Sequence, residues 1–229
     1  SQEKRLMTLK MAVEDLKYLL NRGYRKRVAL NFVANHYLLG KRERNYLARY
    51  VFSDETRKRR LSRLVSPDSL RGATVHIDGY NVLIGTESVL GGEGFFIAQD
   101  GLLRDVKGVS GSYRMDEVTM RALNAIMDFL SDSGVKEVFF YFDRNVSHSG
   151  RLRQIVEELM DSRELEGRAI LSSCVDRRLK KSGGVVATAD GAVIDSVEMV
   201  IDIPHEILRR IKRRNHRRDN YRNRPIRST

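Results

Sequence analysis

From residue 73 onward the chain sets short apolar runs against helix-length amphipathic segments, and this alternation restricts the fold more than any other feature. The runs are ATVHID (73–78), KEVFFYFD (136–143), RAILSS (168–173), VVATAD (185–190) and VEMVID (197–202). Each is short and rich in Val, Ile or Phe, as buried strands are. Between them, EVTMRALNAIMDFLSD (117–132) and RLRQIVEELMDSREL (151–165) repeat apolar residues every three or four positions, the period of a helix laid on a sheet. Strand, helix, strand in that order calls for parallel pairing with right-handed crossovers. The predicted class is α/β, a Rossmann-like three-layer α/β/α sandwich with a mainly parallel sheet. GFFIAQDGLLRDVKG (94–108) interrupts the rhythm with apolar runs on both sides of Asp100-Gly101, which predicts a hairpin. Gly91-Gly92-Glu93-Gly94 lacks the flanking strand and helix of a dinucleotide fingerprint and reads as a flexible loop.

The residues before this pattern are helical in period from Arg5 to about Leu64, as in LMTLKMAVEDLKYLL (6–20) and RVALNFVANHYLL (27–39). Gly23 and Gly40 fall where helices would stop, and Ser53 reads as the N-cap of a further helix. Ser66-Pro67-Asp68-Ser69 carries turn residues without periodicity. The predicted organisation is a small basic all-α domain over 1–66, the α/β domain over 72–205, and a basic tail over 206–229. In the tail a helix starts near Glu206 and runs into RRIKRRNHRRDNYRNRPIRST, which has no apolar face and is expected to be mobile when unbound. No internal repeat is visible.

Charge follows these divisions. The 229 residues carry a net +12, but residues 1–71 hold 18 Lys and Arg against 7 Asp and Glu, and residues 206–229 hold 10 against 2. The stretch between them reverses sign, with 14 against 21. Basic flanks attract a polyanion, whereas clustered carboxylates repel it unless a cation intervenes. Tyr221 among the tail arginines offers a base-stacking contact or is simply part of a solvated tail. No apolar run approaches the roughly 18 residues of a membrane span. SQEKRLMTLK at the start has no apolar signal core, so the expected location is the cytoplasm. Cys174 alone excludes an internal disulfide or a Cys-rich zinc site, and it reads as a small core residue.

The acids fall at informative places. Asp78 ends the first run, Asp143 the second and Asp190 the fourth, while Asp176 follows RAILSSCV. Ligands of open parallel sheets bind at the carboxyl ends of the strands, so four carboxylates are expected to converge there. Close carboxylates raise one another's pKa and are best stabilised by a cation. Oxygen-only ligation suits Mg²⁺ or Mn²⁺, which activate water and stabilise charge on a transferring phosphoryl group. A single strand-end Asp can equally be a turn former or helix N-cap. For Asp78 and Asp190 the Gly that follows each, permitting close backbone approach, favours function; for Asp143 and Asp176 both readings stand. Asn81 supports Asp78 and a substrate phosphate, or caps the next helix. Glu117 reads as a first-turn helix acid, Asp195 is as readily a surface residue, and His148 is a lone loop histidine.

IDGYNVLI, VFFYFD, SSCVDRRL and GVVATADGAVID taken together resemble the motif series of the PIN-like nuclease superfamily, in particular its NYN-type branch. Asp78 and Asn81 match the first motif, Asp143 the second, Asp176 the third and Asp190 the fourth, over about residues 73–203. The whole chain also resembles an uncharacterised, largely archaeal family that joins a helical N-terminal domain to a PIN-like domain. The resemblance implies a Mg²⁺ or Mn²⁺ site held by Asp78, Asp143, Asp176 and Asp190 and hydrolysis of RNA. Ala192 and Val193 depart from the Asp-Phe common after the fourth acid, and the 95–106 hairpin is an addition. Two other functions remain open. One is a non-catalytic RNA-binding or ribosome-associated module that uses the basic flanks alone. The other is a phosphatase of the haloacid-dehalogenase type, in which Asp190-Gly191-Ala192-Val193-Ile194-Asp195 would be the last acidic motif and Lys180 or Lys181 would bind phosphate. Against the latter, Tyr80 stands where that family's nucleophile motif has its second Asp.

Overall fold

A computed structural model describes residues 1–108 and 112–222. The chain begins with four helices, α1 (Gln2–Asn21), α2 (Lys26–His36), α3 (Lys41–Tyr50) and α4 (Asp54–Arg63). Ala12 and Leu16 of α1, Ala29 and Val33 of α2, and Leu47 of α3 close a small core of their own. Ser53 caps α4 as expected, its hydroxyl accepting from the Thr56 N–H at 3.1 Å. Gly40 does not stop a helix. α2 already ends at His36, and Gly40 starts α3 with its N–H held by Glu43 Oε2 at 2.7 Å.

A 3₁₀ turn at Pro67–Leu70 leads into β1 (Thr74–Asp78), α5 (Gly79–Gly91), and the hairpin β2 (Phe95–Ile97) and β3 (Leu103–Asp105). There follow α6 (Glu117–Ser133), β4 (Glu137–Asp143), α7 (Ser149–Ser162), β5 (Gly167–Ser172), α8 (Val175–Lys180), β6 (Val185–Ala187), α9 (Gly191–Ile194), β7 (Val200–Ile201) and α10 (Ile203–Arg222). The expected hairpin is present. Gly91 and Gly92 form a helix end rather than a loop, since Gly91 closes α5 and Gly92 caps it at φ 75°, a conformation that suits glycine, while Glu93 and Gly94 are irregular and lead into β2.

The sheet has the order β5-β4-β1-β6-β7 and every pair is parallel. Alternation fixes its two faces. Val75, Ile77, Val138, Phe140 and Phe142 pack with α5, α6, α7 and α10 in the main core, whereas Tyr141 and Val186 face Leu179 of α8 and Val193 of α9. The protein is thus a mixed α/β fold with a parallel five-stranded sheet between helices and a helical N-terminal region. β4 lies on one side of β1 and β6 on the other, so the strand order switches sides at β1 and leaves a crevice at its carboxyl end.

The segment read as a tail is helical through Arg222, and α10 starts three residues before Glu206. Its first turns are core, with Ile203, Pro204, Ile207 and Leu208 buried. From Lys212 to Arg222 every residue is exposed. The remaining tail, 223–229, and Ser110-Gly111 lie outside the described residues.

The helical region is fixed to the sheet by a buried ion network. Asp100, at the hairpin tip, is fully buried between Arg60 of α4 (2.9 Å) and Arg104 of β3 (2.8 Å). Arg60 also takes Asp195 at 3.0 Å, so that acid, which the sequence left as readily on the surface, ties α9 to α4.

Candidate functional site at the carboxyl edge of the sheet

The central strand β1 delivers Asp78 to the crevice. Gly79 follows at a point where a Cβ would stand 2.4 Å from the Phe142 ring and 2.6 Å from the Tyr141 carbonyl, so only glycine lets α5 begin this close to β4. Thr188, just beyond β6, donates its hydroxyl to Asp78 Oδ2 at 2.8 Å and accepts the Asp190 N–H at 3.0 Å. Asn81 Oδ1 accepts the Ala189 N–H at 2.9 Å. The β6–α9 turn is therefore docked onto β1 and α5 by side chains from both acidic motifs. Thr188 was not singled out from the sequence. Its signal was VVATADG, in which a hydroxyl two residues before the acid can make a local turn.

The four predicted acids share an electrostatic neighbourhood. Burial raises the Asp78 carboxyl to about 7, and the charges of Asp176 and Asp190 add to the shift against the opposing Thr188 hydrogen bond. Asp176 is raised as well, by loss of solvation and then by Asp190 and Asp143. Two of the acids also do the local work a strand-end Asp commonly does. Asp190 caps α9 by accepting the Val193 N–H at 3.0 Å, and Asp143 accepts the Asn145 N–H at 2.9 Å. Among the described residues no three His, Cys, Asp or Glu side chains stand together as a ready metal cage. The donor set is oxygen-only, and Thr188 and Lys180 offset its repulsion only in part, since Asp78 and Asp176 both stay raised; both properties fit a hard divalent ion.

Three of the acids open onto two hollows. Asn81, Thr188 and Asp190 line a cavity of about 410 Å³ that extends beneath the helical region. Asp143 and Asp176 line a shallower hollow of about 520 Å³ with Arg177, Lys180 and Lys181. Cys174 borders the second and is exposed, not a core residue: it stands at the N-cap position of α8 outside the sheet. Beside Asp143, the Tyr80 hydroxyl is buried without a hydrogen-bond partner among the described residues, and burial followed by the Asp143 charge pushes it up to about 12. Glu117 is exposed in the first turn of α6, and His148 stands exposed before α7 at φ 63°.

Comparison with known proteins gives a lineage. A family model described as "Domain of unknown function (DUF5616)" matches residues 67–206. The chain belongs to that family. A second, "Protein of unknown function (DUF434)", matches residues 8–63. An uncharacterised protein of Methanocaldococcus jannaschii is 37% identical over 210 residues, covering 91% of this chain and all of its own. Both halves of this DUF5616 member thus recur in one archaeal relative. No solved structure matches the chain. No helix among the described residues is long and apolar enough to cross a membrane.

Proposed function

We propose that the protein is a metal-dependent endoribonuclease of the PIN-like, NYN-type kind. The observation that carries this reading is the electrostatic coupling of the four acids: burial, Asp176 and Asp190 raise Asp78 to about 7, and Asp190 and Asp143 act on Asp176. Such an arrangement destabilises the fold unless it serves a ligand, and perturbed acids in a cleft mark functional sites. Mg²⁺ or Mn²⁺ on these carboxylates would lower the pKa of a bound water and offset charge on the phosphodiester. Asp78 and Asp190 would hold the ion from the two strands that flank the crevice, while Thr188 and Asn81 keep the two loops in register. Arg213, Arg214, Arg217 and Arg218 on the exposed half of α10 supply sequence-independent contacts to RNA phosphates.

A second reading, an RNA-binding module without catalysis, is favoured by the capping roles of Asp190 and Asp143 and by the absence of a preformed cage among the described residues. A phosphatase reading is weakened because Asp195, its last acid, is engaged by Arg60 through two hydrogen bonds. The deciding experiment incubates structured and single-stranded RNA with wild type and Asp78→Asn in Mn²⁺ or Mg²⁺. Cleavage by wild type that falls at least about a hundredfold in the variant supports the nuclease. Equal cleavage removes it, and salt-sensitive binding without cleavage supports the module.

A further inference from the structure

The 410 Å³ cavity joins the candidate site to the helical region. The α/β region contributes Asn81, Thr188 and Asp190, and the helical region contributes Lys26 and Arg49. Most charges around it are already matched. Arg60 donates to Asp100 and Asp195. Arg104 donates to Asp100 and to the carbonyls of Ala189 and Arg49. Arg49 lies 3.6 Å from Asp105. Asp202 accepts the backbone N–H groups of Leu103 and His205.

Lys26 differs. Its ammonium donates to the Val51 carbonyl at 2.6 Å and sits 3.6 Å from the centre of the Phe52 ring, and it has no carboxylate partner among the described residues. The guanidinium groups of Arg60 and Arg104 lie over that same ring, 4.6 and 5.2 Å from its centre. Folding has therefore gathered an ammonium and two guanidinium groups around one ring, at the edge of a cavity, and the ammonium has donor capacity left over. Burial and the repulsion of those two arginines pull Lys26 down to about 7.

We propose that this cavity binds the phosphate monoester of a nucleotide, with Lys26 as its main cationic contact and the free side-chain NH₂ of Asn81 as a second donor. A monoester carries about −1.5 to −2 charge at neutral pH, more than a diester linkage, and so pairs more strongly with Lys26, the cation of this lining that has no carboxylate partner among the described residues. The volume falls in the range of small-ligand sites and suits one nucleotide rather than a run of them. The phosphate is therefore that of a strand end or of a free mononucleotide. The identity of the nucleotide rests on the RNA reading above, but capture of phosphate does not require cleavage.

The test is acylation of Lys26 at pH 7 by an amine-reactive ester, followed by peptide mass spectrometry. The probes are inorganic phosphate, adenosine 5′-monophosphate, and a short RNA with a 5′-phosphate, a 3′-phosphate or hydroxyls at both ends. Lys26 is expected to react faster than exposed lysines such as Lys58, since near pH 7 about half of it is unprotonated. Phosphate-bearing probes are expected to slow it at least about fivefold, and the hydroxyl-ended RNA is not. Protection by phosphorylated RNA at far lower concentration than by the mononucleotide assigns the cavity to a strand end, and the reverse assigns it to the free nucleotide. Absence of protection by every phosphate probe, or equal protection by hydroxyl-ended RNA, overturns the proposal. Lys26→Arg should retain binding of the preferred probe and Lys26→Met should lose about tenfold or more; equal affinity in both refutes the assigned contact. Asp78→Asn should keep the protection, so a failed nuclease reading and a failed phosphate cavity give different results.

Discussion

Replacing Asp78 with Asn removes the charge that burial penalises and leaves an oxygen for the Thr188 hydroxyl. The Asp78 carboxyl, ordinarily near 3.8, stands at about 7 in the fold. Between those values the folded chain holds a proton that the unfolded chain has released, so stability falls as pH rises across the window. Below it both states are protonated and the penalty vanishes; above it both are ionised and the penalty is complete. At about 1.36 kcal/mol per pH unit, the window spans about 4 kcal/mol. Asp78→Asn is thus expected to be close to neutral at pH 4 and to stabilise by about 4 kcal/mol at pH 8. Asp202, raised to about 7 by its own burial, tilts wild type and variant alike and cancels in the difference. Urea unfolding followed by circular dichroism at pH 4, 6 and 8, with divalent ions chelated, measures the gap directly. A gap that does not widen with pH, or a variant less stable than wild type at pH 8, refutes the reasoning. Repeating the pH 8 titration in Mn²⁺ should narrow the gap, because an ion held by the wild-type carboxylates stabilises only the folded state.

Three further outcomes follow from named contacts. Asp100→Ala leaves Arg60 and Arg104 buried without their shared partner and should cost about 3–5 kcal/mol in chemical denaturation; a loss below about 1 kcal/mol would show that the network does not fasten the helical region. Gly79→Ala drives a methyl against both the Phe142 ring and the Tyr141 carbonyl, at a cost of about 1–3 kcal/mol or more. Shrinking Phe142 should restore little of it, because the carbonyl remains, and full rescue in a double-mutant cycle would contradict this geometry. Tyr80→Phe removes a buried hydroxyl that has no partner among the described residues and should leave the melting temperature unchanged or raised, whereas a clear drop would reveal a bound water or ligand at that hydroxyl.

What could be read from the sequence was what local chemistry dictates. The parallel strands, the hairpin around Asp100-Gly101 and the cap at Ser53 follow from periodicity and turn chemistry within a few residues. The strand-end acids were legible for the same reason, because a run's last residue marks the edge of the sheet. Gly40 was misread because a glycine signals a helix boundary without saying which side of it the helix lies on. Cys174 was misplaced because the apolar run before it ends two residues sooner. Asp195 and Lys26 could not be placed, since their surroundings come from residues far away in the chain: the Arg60–Asp195 pair spans 135 positions and the Arg60–Asp100 pair spans 40. Thr188 lay within a noted motif, but its importance depends on Asp78, 110 residues earlier.

Arg104 reaches the carbonyl of Ala189, beside the acid Asp190, and the carbonyl of Arg49 at the end of α3, while Val65 donates its N–H to the Val200 carbonyl at 2.8 Å. The two matched families meet between residues 63 and 67, yet the molecule has no joint there. A gene cut at that point would release a sheet whose hairpin tip and α9 turn have both lost Arg60, the guanidinium that joins Asp100 to Asp195. The two halves are therefore expected to be inherited as one gene or, when separated, to find each other again as subunits.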